Sequence, residues 1–550
     1  MTLYLFNRFK TVSFKDLLTR LRGNWFIPIS AVFYYLLNTG MPAFNNLPVN
    51  SYYSLMPAVI LIAIICCLCD PFASFYNKTS VKVRAVALLS SIGICYCTWD
   101  ILKYVYYLWD GEPLLLRLIF MILAIPFVFV LNLLFWDKLT AVLKSVLSKA
   151  KTKQYELVIY LILFVLFCVY VSFCFLNSQA FYGTDYKVDV IYTSDSPLLV
   201  RYNAYIVFDH AENDFRQPFF GLFSAPLMGI PCLIGSLIPT VPMALVLDYG
   251  QVLVLLFTAF LLAVELDLTP LQRICFVLMS ASTYTYLLFS IMLEQYVIST
   301  FWLVLTVYLL NKDNKSAALS SFAASGTLLV SGVMVPVVLK PDERGVKLWT
   351  TWLKNLVLYG VDFVLLLIIA DRFHVLWNAI DNLRFLSQFT GKTIGITDRI
   401  LQYVNFAGGC FFAPESMLMT VDYTYASWQM TFVTSVNYFG VAVIILALAG
   451  FIVSRKSFIF KLALGWICLS VFVLTVVGWG LFENGLNLYS LYFGWPFMVL
   501  VFNLFRFIED KIKKSFVVPS VTAVFCVSML ICNIRALTEL IGFAIRFYPV

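Results

Sequence analysis

The chain of 550 residues is 61% hydrophobic and 17% aromatic, and only 12% of it is charged. A water-soluble domain carries roughly 25% charged residues, so this composition excludes a soluble globular protein and divides instead into apolar spans of about 20 residues with short connections. The formal net charge of +8 is read by its position relative to a membrane, and no nucleic-acid partner is expected.

The N-terminal stretch MTLYLFNRFKTVSFKDLLTRLRGNWF is basic but lacks a short apolar core ending in small residues, so no removable leader is expected. Apolar windows predict spanning helices near 25–42, 54–70, 85–107, 114–136 and 156–176. They continue near 240–263, 271–291, 295–311, 352–370, 433–453, 457–478, 486–506 and 517–536. Two stretches are interrupted. Residues 316–340 carry Ser331-Gly332 and Pro336 and read as a helix pair or one kinked span, and 218–238 carries Pro226 and Pro231 with Pro239 just beyond. The expected class is an all-α polytopic integral membrane protein of about 13–15 transmembrane helices with two large external loops. Of the 13 cysteines, Cys66, Cys67 and Cys69 cluster at the end of an apolar run, where packing is the expected role, and Cys410 falls in a predicted outer loop.

Orientation follows from the connections. With a cytoplasmic N-terminus, the inner segments collect 27 of the 38 basic residues, from Arg8, Lys10 and Lys15 through Lys138–Lys153 to Arg506 and Lys511–Lys514. This is the asymmetry of the positive-inside rule. About 11 of the 30 acids lie on that face. The alternation requires 316–340 to cross and return, and 218–238 not to cross fully. The segments 177–239 and 371–432 then lie outside, and loops of such length with many aromatic residues are expected to be working parts.

The first external loop contains IYTSDSPLLVRYNAYIVFDHAENDFRQPFF, with Asp195, Asp209 and Asp214 among Arg201, His210 and Arg216. Asp195, in the turn TSDSP, either caps the following segment or acts as a general base at the membrane surface. Arg216 either contacts a phosphate or anchors the chain at the interface, and Arg372, Arg384 and Lys392 of the second loop share that ambiguity. DHAENDF has neither EF-hand nor zincin spacing and reads as a solvated turn. The chain contains no nucleotide-phosphate loop, no dinucleotide turn and no nucleophile elbow.

From residue 155 onward the order of features resembles the GT-C superfamily of membrane glycosyltransferases, in particular the branch of the protein mannosyltransferases and the lipid A aminoarabinose transferase. The resemblance rests on the helix YELVIYLILFVLFCVYVSFCFL, the acidic TSDS soon after it, RQPFFGLF where the family has a His/Lys-Pro-Pro-Leu-like sequence, and the broken segment SAALSSFAASGTLLVSGVMVPVVL. Gln217 replaces the first proline and Arg216 the His or Lys. The resemblance implies an inverting, GT-C-type enzyme of the cell envelope. It would move a sugar from a polyprenyl-phosphate-linked donor to a glycan, lipid or protein acceptor on the external face of a membrane, expected to be the bacterial inner membrane. It implies Asp195 as the catalytic acid residue, with Asp209 and Asp214 as alternatives. Arg216 would lie by the lipid phosphate, with Arg201, Arg372 and Arg384 as further donor-binding candidates.

Membrane lipids are expected partners, and a divalent metal is left open as a cofactor. Tyr489 and Tyr492 in LNLYSLYFGWPF, just after Glu483 and Asn484, either line a groove for the isoprenoid or form an interfacial belt. Residues 1–150 lie outside the resemblance and are expected to form a membrane module of about four helices ahead of a GT-C-like domain over 151–550. A lipid or oligosaccharide transporter or flippase, or a polysaccharide polymerase, is the rival reading. Transporters concentrate ionisable groups within their spans, whereas here few acids, Asp248 and Asp362 among them, lie in predicted spans.

Overall fold

In hydrocarbon every backbone N–H and C=O must be paired within the chain, and this protein does so almost entirely with helices. The computed structural model describes residues 12–39, 50–105, 114–182, 190–192, 194, 196, 199, 205–206, 216–238, 242–310, 312–341, 345–370, 372–423, 426–433, 437–481 and 485–550. Among these, nine helices are long and apolar enough to cross a membrane, or ten if the bent pair Met56–Leu68 and Phe72–Lys78 is one span. Four further apolar helices are shorter: Phe26–Leu37, Tyr296–Leu309, Leu329–Val338 and Tyr438–Ser454. The multi-pass, helical class is therefore as expected, with nine or ten helices among the described residues long enough to span by themselves.

The chain forms two packing units. The first comprises Met1–Ser145, Arg201–Leu247 and Leu309–Ala379. Its N-terminal helix, Phe14–Asn24, is started by Ser13, whose hydroxyl accepts from the Asp16 N–H. It is tied down at its end by Asn24: the Asn24 amide donates to the Cys66 carbonyl at 3.0 Å, and its oxygen accepts from the Phe72 N–H at 2.8 Å. Asn24 thus satisfies the backbone freed by the 69° bend between Met56–Leu68 and Phe72–Lys78. A similar repair occurs in the long helix Leu114–Ala150, which contains Pro126. Ser30 enters its ladder next to the proline, donating to the Leu123 carbonyl at 2.6 Å and accepting from the Phe127 N–H at 2.9 Å.

The helix Phe220–Leu237 runs unbroken through Pro226 and Pro231. Its length and composition qualify it as a span, against the partial crossing expected from the charge pattern. It packs on Val81–Val105 through glycines: a Cβ on Gly93 would sit 2.0 Å from the Gly229 carbonyl oxygen. The stretch 316–340 resolves as a pair, Asn314–Thr327 followed by the 3-10 turn Leu329–Met334 and the short helix Val335–Val338. The helix Val346–Ile369 buries only 6% of its apolar window, the composition of a face turned to lipid.

The second unit comprises Val146–Val200, Asp248–Tyr308 and Ile380–Val550. The helices within Met243–Glu265 and Gly485–Ile512 are its core, with 72% and 78% of their windows buried, while Gln154–Asn177 is largely outward-facing at 17%. The window 271–291 is not one span. It breaks into Pro270–Ser282 and Tyr284–Phe289, with Thr283 capping the second piece by accepting from the Tyr286 N–H. Asn533 of the last helix, Val517–Phe547, clamps this break, donating to the Ser282 and Phe411 carbonyls, each at 2.9 Å, and accepting from the Ala413 N–H.

The region 371–432, read as a loop, holds the helix Ile396–Gly409 and an antiparallel hairpin of β1 (Ser416–Tyr423) and β2 (Ala426–Phe432). The hairpin is the one departure from an all-α chain among the described residues. Its alternation of Met, Thr, Val, Tyr and Trp is that of a strand pair.

Candidate functional site

The described residues between 177 and 200, which belong to the second unit, are held within it at three points. At the start of this stretch, Ser178 donates to the carbonyls of Ala544 and Tyr548 near the chain's end. Further on, Val190 and Tyr192 extend the hairpin, with the Tyr192 N–H donating to the Met430 carbonyl at 2.9 Å and the Met430 N–H to the Val190 carbonyl at 3.0 Å. The Tyr192 ring stacks on Phe432 with centroids 3.9 Å apart. Tyr192 has a positive φ of 51°, which reverses the chain at this point. Burial pushes its phenol above the ordinary range.

The third point is chemical. Ser194 donates its hydroxyl to Glu294 Oε1 at 2.8 Å. Because that proton is committed, Ser196, whose Oγ lies 2.5 Å from Ser194 Oγ, donates to Ser194. All three side chains are buried, each at 3% exposure. Glu294 stands immediately before the helix Gln295–Leu309, where the helix dipole favours a negative group. The backbone between Phe289 and Gln295 is not helical, and its carbonyls are satisfied by Gln251, which donates to Phe289 at 2.9 Å and Met292 at 2.7 Å. Gln251 also reaches Asp248 Oδ1 at 3.1 Å. Asp248 is wholly buried, and among the described residues its Oδ2 has no hydrogen-bond partner. Ser194, Ser196, Val190, Ile191 and Met292 line a small pocket with Ala180 and Phe181.

Asp195, Asp209, Asp214, Arg201 and His210 lie outside the described residues, as do Glu483 and Asn484. Arg216 is half-buried in the first unit, where its carbonyl accepts from the Leu329 N–H at 2.8 Å. Arg372 is buried, at 4% exposure, just beyond the helix Val346–Ile369. Arg384, by contrast, is 80% exposed and sits 3.7 Å from an equally exposed Asp381, a surface pair of little energetic weight.

Tyr489 and Tyr492 form no interfacial belt. They are buried against Tyr296, with centroids 5.8 Å and 5.6 Å away, two residues along from Glu294. Cys410 is likewise buried rather than in an open loop. Among the described residues no group of three or more His, Cys, Asp or Glu side chains is placed to hold a metal ion.

Glu294 and Gln251 are the residues that hydropathy reading passed over. Glu294 is the single acid between Asp267 and Asp313, and its isolation in that apolar stretch was the available signal. Comparison with protein families, with curated proteins and with solved structures yields no match to this chain.

Proposed function

We propose that the protein is a membrane glycosyltransferase that moves a sugar from a polyprenyl-phosphate-linked donor to an acceptor hydroxyl, with the N-terminus cytoplasmic and both long loops on the outer face. The observation that carries this reading is the Ser194–Glu294 hydrogen bond. A carboxylate that accepts from a hydroxyl in a buried site is disposed as a general base would be, and it anchors the turn that bears Asp195.

In the reaction the acceptor O–H gives its proton to a carboxylate, Asp195 or Glu294. Its oxygen bonds to the anomeric carbon as the bond from that carbon to the lipid phosphate breaks, and the lipid phosphate leaves with the electron pair. The test is transfer from a polyprenyl-phosphate sugar in membranes containing Asp195→Asn or Glu294→Gln. Unchanged transfer in both variants overturns the reading.

Asp248 favours a second reading. A fully buried carboxylate in a helix long enough to cross the membrane is the usual mark of an ion or proton pathway, and it supports coupled transport of a lipid-linked or polar solute. Uptake or flipping that depends on Asp248, with no sugar transfer in the same membranes, selects that reading.

A further inference from the structure

The helix Phe14–Asn24 carries two edges that need different surroundings. Phe14, Leu18 and Trp25 recur at intervals of four and seven residues, which places them on one stripe, and they are 76%, 49% and 59% exposed. Leu17 and Leu21 are half-buried, and the helix packs against Asn50–Leu68. One residue on from Phe14 and Leu21 stand Lys15 and Arg22, both exposed. They are seven positions apart, so they share one border of the stripe and lie about 10 Å from each other along the axis.

The position of this helix follows from what holds it. Arg20 donates to the Leu68 carbonyl at 2.8 Å and pairs with Asp70 at 3.1 Å, while Asn24 holds the Cys66 carbonyl and the Phe72 N–H. The helix is therefore fixed where the apolar run Met56–Leu68 stops and the chain bends by 69° into Phe72–Lys78. The apolar helix Phe26–Leu37 starts at the same place. An apolar span that ends beside polar, exposed side chains marks a membrane boundary. Residues 13–26 and 68–84, which build it, hold six cations and two acids. Arg20 is engaged by one of those acids, and among the described residues Lys15 and Arg22 make no ion pair.

Both edges together select what covers this surface. A soluble anion would leave the apolar stripe in water, and a zwitterionic lipid would bring its own positive charge to Lys15 and Arg22. An anionic phospholipid satisfies the stripe with its acyl chains and the two cations with its headgroup. We propose that the helix Phe14–Asn24 lies in the membrane–water interface and binds anionic phospholipid, with Phe14, Leu18 and Trp25 among the acyl chains and Lys15 and Arg22 against the lipid phosphates. This does not depend on whether the second unit transfers sugar or moves a solute.

The test uses the full chain purified in a nonionic detergent and titrated with phosphatidylglycerol, phosphatidylcholine or inorganic phosphate. Thermal unfolding is the readout, since a ligand of the folded state raises its melting temperature. Phosphatidylglycerol should raise it by a few degrees, and the other two by less than half as much. Lys15→Gln with Arg22→Gln should lose at least half of the rise, while Arg384→Gln with Lys392→Gln, which removes the same charge elsewhere, should keep it. Depth is read separately in vesicles: the fluorescence added by Leu18→Trp should be quenched when the acyl chains are brominated. Equal rises with the two lipids, a rise with phosphate alone, or an undiminished rise in Lys15→Gln with Arg22→Gln overturns the proposal. Added fluorescence that bromine does not quench also overturns it, and would leave the stripe to a protein partner.

Discussion

Ser194 and Glu294, 100 residues apart in the chain, are joined by a hydrogen bond of 2.8 Å in which the serine hydroxyl donates to the carboxylate. Ser194→Ala leaves a buried acceptor with one donor fewer, at a cost of about 1–3 kcal/mol. Glu294→Gln keeps an oxygen that can accept from Ser194, while it removes the charge and turns the other oxygen into an NH2 donor. Thermal unfolding should therefore separate the two, with a clear fall for Ser194→Ala and little change for Glu294→Gln. Transfer should fall at least tenfold in Glu294→Gln if its carboxylate takes up the acceptor proton, and equal melting losses in both variants would show a purely structural role.

The contact of Gly93 with Gly229 sets the spacing of two helices in the first unit. A Cβ on Gly93 would lie 2.0 Å from the Gly229 carbonyl oxygen, and one on Gly229 would lie 2.6 Å from the Ser90 carbonyl oxygen. These obstacles are backbone atoms, which cannot rotate away, so the helices would have to part and release the Ser90 bond to the Pro226 carbonyl. Gly93→Ala and Gly229→Ala should each cost about 1–3 kcal/mol. Gly360→Ala, with nothing near its Cβ, should be neutral or slightly stabilising through helix propensity, and the three melting curves compared side by side check this.

How much of this was legible in the sequence depends on whether a feature is local. Apolar windows such as 156–176 and 240–263 needed only their own composition, because lipid and core both demand apolar side chains. The break at Ser282–Thr283 was hidden inside an apolar average, since its cause is a threonine cap and a clamp by Asn533, 251 residues from Ser282. Glu294 lay between two predicted spans and looked like a turn residue, whereas its partner Ser194 is distant in the chain. The TSDS turn stood out by composition, but the sequence drew attention to Asp195, while the interactions the described residues reveal belong to the serines on either side of it. The hairpin 416–432 was absorbed into a loop because strand alternation is a weak signal beside helical spans.

Glu156 and Arg273 form a bidentate pair, Arg273 Nε to Glu156 Oε2 at 3.0 Å and Nη2 to Oε1 at 2.8 Å, with side chains 0% and 5% exposed. The Glu156 carboxylate also accepts from the Lys153 N–H, and Arg273 donates to the Leu268 carbonyl. Removing one partner strands a buried charge. Glu156→Ala should cost about 3–5 kcal/mol, and Glu156→Leu with Arg273→Met much less than the sum of the two single changes. A double-mutant cycle by denaturant or thermal unfolding measures the coupling, and strict additivity would dismiss it.

Asp313 begins the helix Asn314–Thr327. Its carboxylate accepts from the Ser316 hydroxyl at 2.5 Å and from the backbone N–H groups of Lys315 and Ser316. The Ser316 hydroxyl bond, first among these, holds the Asp313 carboxyl below its ordinary value of 3.8. Since the folded value is the lower one, the cap's contribution is complete above the unfolded value and is lost as pH falls through the folded value. Hydrogen-exchange protection of the first turn should therefore be constant from neutral pH down to about 4 and decline below it. In Asp313→Asn that decline should disappear.

Asp248 is wholly buried, and one of its oxygens has no partner among the described residues. The other accepts from Gln251, whose amide is already engaged by the Phe289 and Met292 carbonyls. Removing the carboxylate therefore strands no donor, and an unpaired buried oxygen is itself unfavourable. Asp248→Asn and Asp248→Leu should unfold within about 1 kcal/mol of the wild type or above it. A residue that can be removed without loss of stability in so apolar a place is kept for what it does, so the same variants should abolish either solute movement or sugar transfer. A fall of several kcal/mol in both would instead make Asp248 part of the helix packing and would leave Glu294 as the carboxylate on which function turns.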